Sequence, residues 1–467
     1  MEFTYSMIAL IVAPSRQFFL KLLVLTIALT LVAGQAMAQR TIRDAEIEEL
    51  MRDYSDPIFR AAGLQPSSID IYLVNDPAVN AFVAGGQNMF LHTGLILESD
   101  EPNELIGVIA HETGHIAGGH LARSSDAIQN ASIPAYLGAA IGLGLMVAGM
   151  PEAGMAVMFG GQHLAQRSYL AYSRVQESSA DQAGLTYLEQ TQQSGRGMVT
   201  FFDRFRDQEA MITTDQDPYV RSHPLSSERI ALLEQRVEQS RYTDTPDSPE
   251  SFHRLQMVQA KIRGFLEPVA VVFRRYPPED TSDVARYARS VAYFRRGQTD
   301  LALGEIDTLI AEEPENPYFY ELRGQILFEG GRIDEAIPAH RRSIALKPTS
   351  ALLRINLGQA LLASEEDQGN SETNQEALRN LQFAVARDNT SSFAWHQLAI
   401  AYSRAGEEGM ADLSVAEQYF RVHDYGPARQ FAARARDKLT EDTVNWNRAM
   451  DILFLTDPDR VGGEIGQ

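Results

Sequence analysis

The chain has 467 residues, with 41 lysines and arginines against 62 aspartates and glutamates, and it contains no cysteine. This length predicts two or three domains, and the net charge of -21 argues against nucleic acid as a partner, because phosphates require a basic surface. The absence of cysteine excludes disulfides, thiolate metal sites and a cysteine nucleophile, so any metal ion must be held by histidine and carboxylate side chains.

Residues 1–38 have the pattern of a cleaved signal peptide. Arg16 and Lys21 precede the uncharged run 22–33, and the small-residue pattern that ends at Ala38 is an A-x-A cleavage site. The apolar run is shorter than the roughly 20 residues that span a bilayer, which disfavours a membrane anchor. We expect export with cleavage near Ala38, and an acidic, cysteine-free exported chain fits a bacterial envelope compartment.

The first part of the mature chain mixes helical and β-like patterns. Apolar residues recur at helical spacing over 42–62, whereas residues 69–74 and 81–97 are rich in β-branched and aromatic side chains. A second helix is predicted from near Asp100 through His111. These patterns predict a mainly helical domain with a small sheet.

This second helix carries the sequence His111-Glu112-Thr113-Gly114-His115. Residues four apart differ by about 40° around a helix axis, so both imidazoles face the same way and can bind one Zn²⁺. Glu112 lies beside them, where a carboxylate can take a proton from water on the metal. A helix with two hydrogen-bonded histidines is the alternative, and the apolar sequence before the motif favours the metal site.

A third histidine, His120, nearly completes the pattern H-E-x-x-H-x-x-G-x-x-H. Gly118 is in place, but His120 comes one residue too early. On a continuous helix His120 would lie about 180° from His111 and could not reach the metal. We therefore expect the third ligand to come from elsewhere in the chain.

Residues 127–151 carry no charge and are rich in glycine and alanine. Their length would permit a membrane span, but glycine and alanine favour insertion only modestly and no basic cluster flanks the segment. We expect a helical hairpin that is buried in the domain or faces a membrane. A peripheral membrane contact through 127–151 and a mobile lid both stay open.

A long helix is predicted from about Gln162 to Thr191, and Glu177 and Asp181 lie one turn apart on it. With Glu177 on the metal, Asp181 can accept a hydrogen bond from the outer nitrogen of a ligating histidine. Two acids on a helix more commonly form a solvated face. The small residues at 178–180 favour close helix packing instead.

Residues 243–250, with two prolines and three acids, are typical of a linker. After this segment three pairs of small or proline residues recur at a spacing of 34: Ala302 and Ala336, Pro314 and Pro348, Gly324 and Gly358. This is the period of the tetratricopeptide helix-turn-helix repeat. An insertion interrupts the third unit over 364–375, and the period fails beyond Ala411, as is typical of capping helices.

The predicted fold class is α+β: a mainly helical, gluzincin-like HExxH zinc peptidase domain with a small β-sheet, followed by an all-α tetratricopeptide repeat array. The predicted boundaries are a signal peptide at 1–38, the peptidase domain at 39–242, a linker at 243–250, a connecting helix and repeats at 251–455, and a tail at 456–467.

Three motifs together resemble the zinc metallopeptidases of the HtpX, Oma and CAAX prenyl protease type. They are the H-E-x-x-H motif that begins at His111, S-R-x-x-E-x-x-A-D over 173–181, and R-S-H-P-L-S-S-E-R-I over 221–230. The export signal and the repeat array resemble, within this family, the BepA (YfgC) type of periplasmic protease and chaperone.

The resemblance implies one Zn²⁺ per chain, with His111, His115 and Glu177 as ligands. It also implies that Glu112 is the general base and that Asp181 supports a ligand. His223 matches the histidine that in this subgroup caps the zinc as a fourth ligand and shuts the enzyme off. By chemistry alone, His223 could instead donate a hydrogen bond to the tetrahedral oxyanion.

The resemblance further implies a periplasmic location, misfolded or stalled outer-membrane β-barrel proteins as clients, and the barrel-assembly machinery as partner. Residues 80–82 and 89–93 resemble the family's active-site edge strand, which would hold an extended peptide, with an ordinary core hairpin as the alternative. A rival function is a non-catalytic chaperone or scaffold with a structural zinc, which the intact Glu112 disfavours. A second rival is a membrane-embedded protease with 127–151 as a span.

Overall fold

The computed structural model describes residues 41–147, 150–206, 217–364 and 372–458. The predicted signal peptide at 1–38 lies outside these described residues. Residues 365–371 of the predicted insertion and residues 459–467 of the predicted tail also lie outside them.

The first part of the described chain, up to residue 238, forms a small sheet surrounded by helices. Its elements are β1 (Thr41–Ile42), α1 (Ala45–Ala61), β2 (Asp70–Val74), β3 (Ala81–Ala84), β4 (Asn88–His92), α2 (Thr93–Glu98), α3 (Pro102–Ala117), α4 (His120–Val147), α5 (Pro151–Gln190), α6 (Arg196–Asp203), α7 (Pro218–Ser222) and α8 (Ser227–Glu238).

The four strands of this sheet lie in the order β1-β2-β4-β3. β2 and β4 run parallel, while β1 and β3 are antiparallel to their neighbours. Tyr72, Phe90 and Phe82 stack in a row across the three strands β2, β4 and β3, with centroid separations of 5.0 and 4.9 Å. The order leaves β3 at an edge, with one side of its backbone open to further pairing.

The core of this part lies between the sheet and helices α1, α3, α6 and α8. Helix α3 is buried along its length from Pro102 to His115, which agrees with the apolar run 105–110 that precedes the motif. The HExxH motif therefore sits on the most buried helix of the domain.

Asp44 caps α1 by accepting hydrogen bonds from the backbone amides of Glu46 and Ile47, both at 3.0 Å.

Two elements differ from the expectation. The β-like stretch 81–97 ends at His92, and α2 starts at Thr93. Gly94, in the first turn of α2, lies so close to the carbonyl oxygen of Pro77 that no side chain would fit at this position. The long helix begins at Pro151 instead of near Gln162, since proline is well suited to the first turn and the glycines that follow do not break the helix.

The second part of the described chain is all helical. Its elements are α9 (Pro249–Leu266), α10 (Val269–Arg275), α11 (Asp283–Arg295), α12 (Thr299–Glu312), α13 (Pro317–Glu329), α14 (Ile333–Leu346), α15 (Ala351–Ala363), α16 (Glu372–Arg387), α17 (Ser392–Arg404), α18 (Glu408–Arg421), α19 (Tyr425–Lys438) and α20 (Val444–Leu455).

The alanine and glycine pairs that recur every 34 positions lie where helices pack closely. Ala302 and Ala336 are fully buried. A Cβ atom added to Gly324 would come within 2.5 Å of the His340 ring, and one added to Gly358 within 2.6 Å of Leu381. The period in the sequence therefore marks a recurring point of close contact between helices.

Helix α9 belongs to both parts of the chain. Val258 and Ile262 join the core of the first part, while Met257 packs in the core of the first repeats. In the segment before α9, Thr243 is buried and the carboxylate of Asp247 accepts a hydrogen bond of 2.9 Å from the Asn103 amide. The segment predicted as a linker is thus packed against the start of α3.

A buried cluster of charges joins α1 to the repeats. The Lys261 ammonium on α9 lies 2.8 Å from Asp44, 3.2 Å from Glu46 and 3.4 Å from Glu321 on α13. Tyr287 donates a hydrogen bond of 2.6 Å to Glu46. The two parts therefore share charged as well as apolar contacts.

Across the ranges that the structure covers, none of the helices combines the length and the apolar character that a membrane crossing requires.

Candidate metal centre

Helices α3 and α5 cross at close range and bring the first two motifs together. A Cβ atom on Gly184 of α5 would lie 3.1 Å from the backbone of Ala110 on α3, so the two backbones are in contact. This crossing places the two histidines of α3 opposite the two acids of α5.

Four side chains present donor atoms to one small volume: His111, His115, Glu177 and His223. The Nε2 atom of His111 lies 3.1 Å from Nε2 of His115 and 3.3 Å from Nδ1 of His223. Carboxylate oxygens of Glu177 lie 3.4 Å from Nε2 of His111, 3.4 Å from Nε2 of His115 and 3.3 Å from Nδ1 of His223. All four residues are buried.

These separations fit a tetrahedral ion. Four ligand atoms at about 2.05 Å from a zinc ion lie about 3.3 Å from one another. The five observed separations fall between 3.1 and 3.4 Å. The cluster is therefore able to hold one metal ion of zinc size with nitrogen and oxygen ligands.

Asp181 and Arg229 hold the ligands from outside the cluster. Nδ1 of His111 lies 2.9 Å from Oδ1 of Asp181, so Nε2 is left to face the cluster. Arg229 of α8 donates two hydrogen bonds of 2.8 Å to Asp181 and lies 3.3 Å from Glu177. Arg229 also donates a hydrogen bond of 2.5 Å to the carbonyl oxygen of Pro224, which secures the segment that carries His223.

His120 lies outside the cluster but is adjacent to a ligand. Helix α3 ends at Ala117, and Gly119 adopts a φ of 60°, which reverses the chain so that α4 starts at His120. The ring of His120 then packs at 5.0 Å, centroid to centroid, from the ring of His115. The helix is therefore not continuous through His120, so the condition for its placement about 180° from His111 is not met.

Glu112 is fully buried beside the cluster, and neither of its oxygens has a hydrogen-bond partner among the described residues. The nearest basic atom is Nε2 of His223, at 3.3 Å. Burial raises the pKa of Glu112, and the charges of His223 and His111 offset this only in part. A buried carboxylate that accepts no hydrogen bond is costly, which indicates a role in chemistry at this site.

In the metal-free protein the other groups differ strongly in proton affinity. Burial lowers the pKa of His111, but hydrogen bonds to Asp181 and Glu177 outweigh it and raise that pKa to about 10. Burial lowers the pKa of His115 to about 2. Burial raises the pKa of Glu177, but the charge of His223 and the hydrogen bond to His111 outweigh it and lower that pKa well below its usual range. Glu177 is thus ionised and His115 neutral, as metal ligands must be, whereas His111 would have to release a proton to bind a metal ion.

His223 lies between the cluster and the edge strand. It follows α7, and its Nε2 atom lies 3.2 Å from the carbonyl oxygen of Ala81, the first residue of β3. Its ring packs at 4.8 Å from the ring of Tyr219. The predicted edge strand and the predicted fourth ligand are therefore direct neighbours.

The structure brings all six predicted site residues together. His111, His115, Glu177 and His223 form the cluster, and Glu112 and Asp181 lie next to it. Sequence reasoning missed two neighbours, Arg229 and Tyr219, and it did not foresee the contact of His120 with His115. Arg229 was visible as a charged residue in the third motif, and the buried Tyr219 hydroxyl lacks a hydrogen-bond partner within the described part of the chain.

Comparisons with known proteins agree with this geometry. Residues 41–237 match the family model of Peptidase family M48, and residues 287–351 match that of the tetratricopeptide repeat. The chain is 26% identical over 362 residues to the beta-barrel assembly-enhancing protease of Escherichia coli (strain K12), which covers 74% of this chain and 70% of that protein.

Two further relatives match different lengths of the chain. The putative beta-barrel assembly-enhancing protease of Vibrio cholerae serotype O1 is 25% identical over 445 residues, covering 92% of this chain and 85% of the relative. The mitochondrial metalloendopeptidase OMA1 of Schizosaccharomyces pombe is 26% identical over 178 residues, covering 38% of this chain and 49% of that protein. Together with the buried cluster, these matches identify the chain as a metallopeptidase whose residues 41–237 match the model of peptidase family M48 and whose C-terminal part carries tetratricopeptide repeats.

Proposed function

We propose that this chain is an exported, zinc-dependent endopeptidase that hydrolyses peptide bonds of misfolded or stalled envelope proteins. The observation that carries the proposal is a four-donor cluster of zinc dimensions beside the buried carboxylate of Glu112, which accepts no hydrogen bond from the described residues. A purely structural site has no use for such a carboxylate, because burying a carboxylate that accepts no hydrogen bond costs stability.

His111, His115 and Glu177 would hold the zinc ion. When bound, Zn²⁺ would polarise the scissile carbonyl and increase the acidity of a water molecule. Asp181 fixes the tautomer and the orientation of His111, and Arg229 fixes Asp181 in turn.

Glu112 would move the proton. In the conversion of water and a peptide bond to an acid and an amine, it would accept a proton from the attacking water and return it to the leaving nitrogen. Its buried environment and raised pKa suit this exchange, because a carboxylate of higher proton affinity is a better base.

We propose that His223 keeps the site closed at rest. Catalytic zinc sites leave one position open, whereas here Nδ1 of His223 takes the fourth corner of the donor cluster. Movement of His223 would open that corner and would also free the carbonyl oxygen of Ala81. The edge of β3 would then be available to pair with an extended peptide.

We assign the biological setting from the relatives. The names of two of them refer to β-barrel assembly, so we propose misassembled outer-membrane proteins as clients and the barrel-assembly machinery as partner, in the periplasm. The repeat array would present the binding surface for either.

The test uses the purified chain with its metal and an unfolded protein such as casein. Glu112→Gln should lower the rate of proteolysis by about 10²- to 10⁴-fold with unchanged zinc content, because only proton transfer is removed. Glu189→Gln, an exposed change on α5, is the matched control and should leave the rate unchanged. A Glu112→Gln protein as active as the parent would refute the hydrolase and favour the chaperone or scaffold.

A further inference from the structure

Tyr219 of α7 is fully buried, and its hydroxyl has no hydrogen-bond partner in the described part of the chain. The ring packs against three phenylalanines, with centroid separations of 5.2 Å to Phe201, 6.0 Å to Phe202 and 5.8 Å to Phe205. These contacts use the ring alone, so a phenylalanine would make them equally well. A buried hydroxyl without a partner costs stability, and packing therefore does not explain why the hydroxyl is present.

The ring of Tyr219 lies beside the metal centre. Its centroid is 4.8 Å from that of the His223 ring, and the backbone amide of His223 donates a hydrogen bond of 2.8 Å to the carbonyl oxygen of Tyr219. Phe202, which contacts Tyr219, also packs edge-on at 5.6 Å from the ring of His111. Tyr219 is therefore held between the aromatic residues of α6 and the segment that carries His223.

Glu112 and Glu177 are the carboxylates that act most strongly on the Tyr219 hydroxyl. Burial raises the pKa of Tyr219 well above its usual range, and the charges of these two carboxylates raise it further. The hydroxyl therefore keeps its proton and is available as a neutral hydrogen-bond donor. The oxygens of Glu112 likewise have no hydrogen-bond partner among the described residues. Two such groups beside one cluster indicate that a polar group of the reactants completes the site.

We propose that Tyr219 is a further catalytic residue, whose hydroxyl donates a hydrogen bond to the oxyanion that forms when water attacks the peptide carbonyl. This inference rests on the proposed peptidase activity. In the attack, the water oxygen bonds to the carbonyl carbon, an electron pair moves to the carbonyl oxygen, and Glu112 accepts the water proton. The carbonyl then forms again as the C–N bond breaks, and Glu112 returns the proton to the leaving nitrogen. The Tyr219 proton stays on Tyr219 throughout.

The resting contacts favour Tyr219 over His223 as this donor. The ring nitrogens of His223 lie 3.2 Å from the carbonyl oxygen of Ala81 and 3.3 Å from both Glu112 and Glu177, so His223 would have to give up these partners. The Tyr219 hydroxyl has no partner among the described residues to give up. A hydrogen bond that is made only in the transition state contributes fully to the rate.

The first test compares Tyr219→Phe with the parent, both with their metal and with casein as substrate. We expect kcat to fall about 10²-fold with unchanged KM and zinc content, because one oxyanion donor is removed. The affinity for a phosphinic peptide should fall by a comparable factor, since its tetrahedral phosphinate replaces the scissile amide of a casein cleavage site mapped by mass spectrometry. Tyr287→Phe is the matched control: it removes an equally buried hydroxyl, which donates a hydrogen bond of 2.6 Å to Glu46, and should leave kcat unchanged.

Urea unfolding of the metal-free proteins separates this role from a structural one. Tyr219→Phe should unfold at the same or a higher urea concentration than the parent, because the hydroxyl it loses has no partner, whereas Tyr287→Phe should unfold at a lower one. Parent values of kcat and phosphinate affinity in Tyr219→Phe would overturn the inference. So would a lower urea midpoint with unchanged phosphinate affinity. A parent that cleaves no peptide would refute the proposed function itself, whereas an active parent that Tyr219→Phe matches would refute only the role of Tyr219.

Discussion

Gly114 of α3 and Ala180 of α5 meet backbone to backbone. A Cβ atom at position 114 would lie 2.7 Å from the carbonyl oxygen of Ala180 and 2.8 Å from its Cα. Gly114 immediately precedes His115, and Ala180 immediately precedes Asp181. The distance between the two helices that carry the ligands therefore depends on the absence of a side chain at position 114.

Replacing Gly114 should harm both stability and metal binding. We expect Gly114→Ala to lower the free energy of unfolding by about 1–3 kcal/mol, because the new methyl group meets backbone that cannot move aside locally. The affinity of this variant for zinc should fall as well. The control is Gly160→Ala on α5, where a Cβ meets nothing within 4 Å. This control change should stabilise the helix by about 0.5–1 kcal/mol. Urea unfolding measures the free energy of unfolding, and competition with a chelator measures the zinc affinity. Equal stability of the two variants would contradict the prediction.

His120 should support the metal through His115. Its Nδ1 atom lies 3.0 Å from Nδ1 of His115, whose other nitrogen faces the cluster. If His115 binds the metal through Nε2, its Nδ1 carries the proton and donates a hydrogen bond to Nδ1 of His120. We expect His120→Ala to weaken zinc binding by about 10- to 100-fold.

The conservative variant His120→Asn should recover part of that affinity, since its amide oxygen can accept the same hydrogen bond. His163→Ala, at an exposed histidine of α5, is the control and should bind zinc as the parent does. Zinc competition with a chelator reports this without any proteolysis. A folded His120→Ala protein with the affinity of the parent would show that the contact is incidental.

Removing the side chain of His223 should activate the enzyme. A cap that holds about nine tenths of the molecules closed lowers the observed rate about tenfold, so His223→Ala should raise basal casein proteolysis by about that factor. The double variant with Glu112→Gln should be inactive. Unchanged or lower turnover with zinc still bound would exclude the cap and favour the binding of the oxyanion by His223.

The charge cluster between α1 and the repeats should make stability depend on pH. Asp44, Glu46, Lys261 and the amide of Asn356 surround Glu321. Burial raises the pKa of Glu321 to about 7, despite the attraction of Lys261. Between the ordinary value of 4.5 and about 7 the folded protein binds a proton that the unfolded chain does not, so this contribution to stability is lost as pH rises.

Glu321→Gln removes that titration. Relative to the parent, the free energy of unfolding of this variant should increase from pH 5 to pH 7.5, as measured by urea unfolding. Glu329→Gln, at an exposed position on the same helix, should follow the parent at both pH values. A stability difference that is the same at both pH values would argue that Glu321 is already ionised at pH 5.

Local periodicity in the amino-acid sequence was enough to predict the helices that carry the site. Residues four apart on a helix share a face, so the pairing of His111 with His115 and of Glu177 with Asp181 follows from their spacing alone. The 34-residue period was equally local, because each repeat packs mainly against its neighbours. These signals predicted the helices, the repeats and the pairing of the candidate ligands, while the family came from the resemblance of three motifs.

Contacts between side chains that are far apart in the chain depend on the tertiary structure. His223 faces Glu112 and Ala81, and Arg229 forms a hydrogen bond with Asp181. These contacts exist because helices α5, α7 and α8 converge on α3. No local sequence pattern encodes that convergence. The turn at Gly119 redirects His120 toward His115, which a continuous helix would have prevented. The hairpin of α4 and α5 was ambiguous for the same reason: its composition was visible, but only packing decides that its glycines lie inside and its large apolar residues outside.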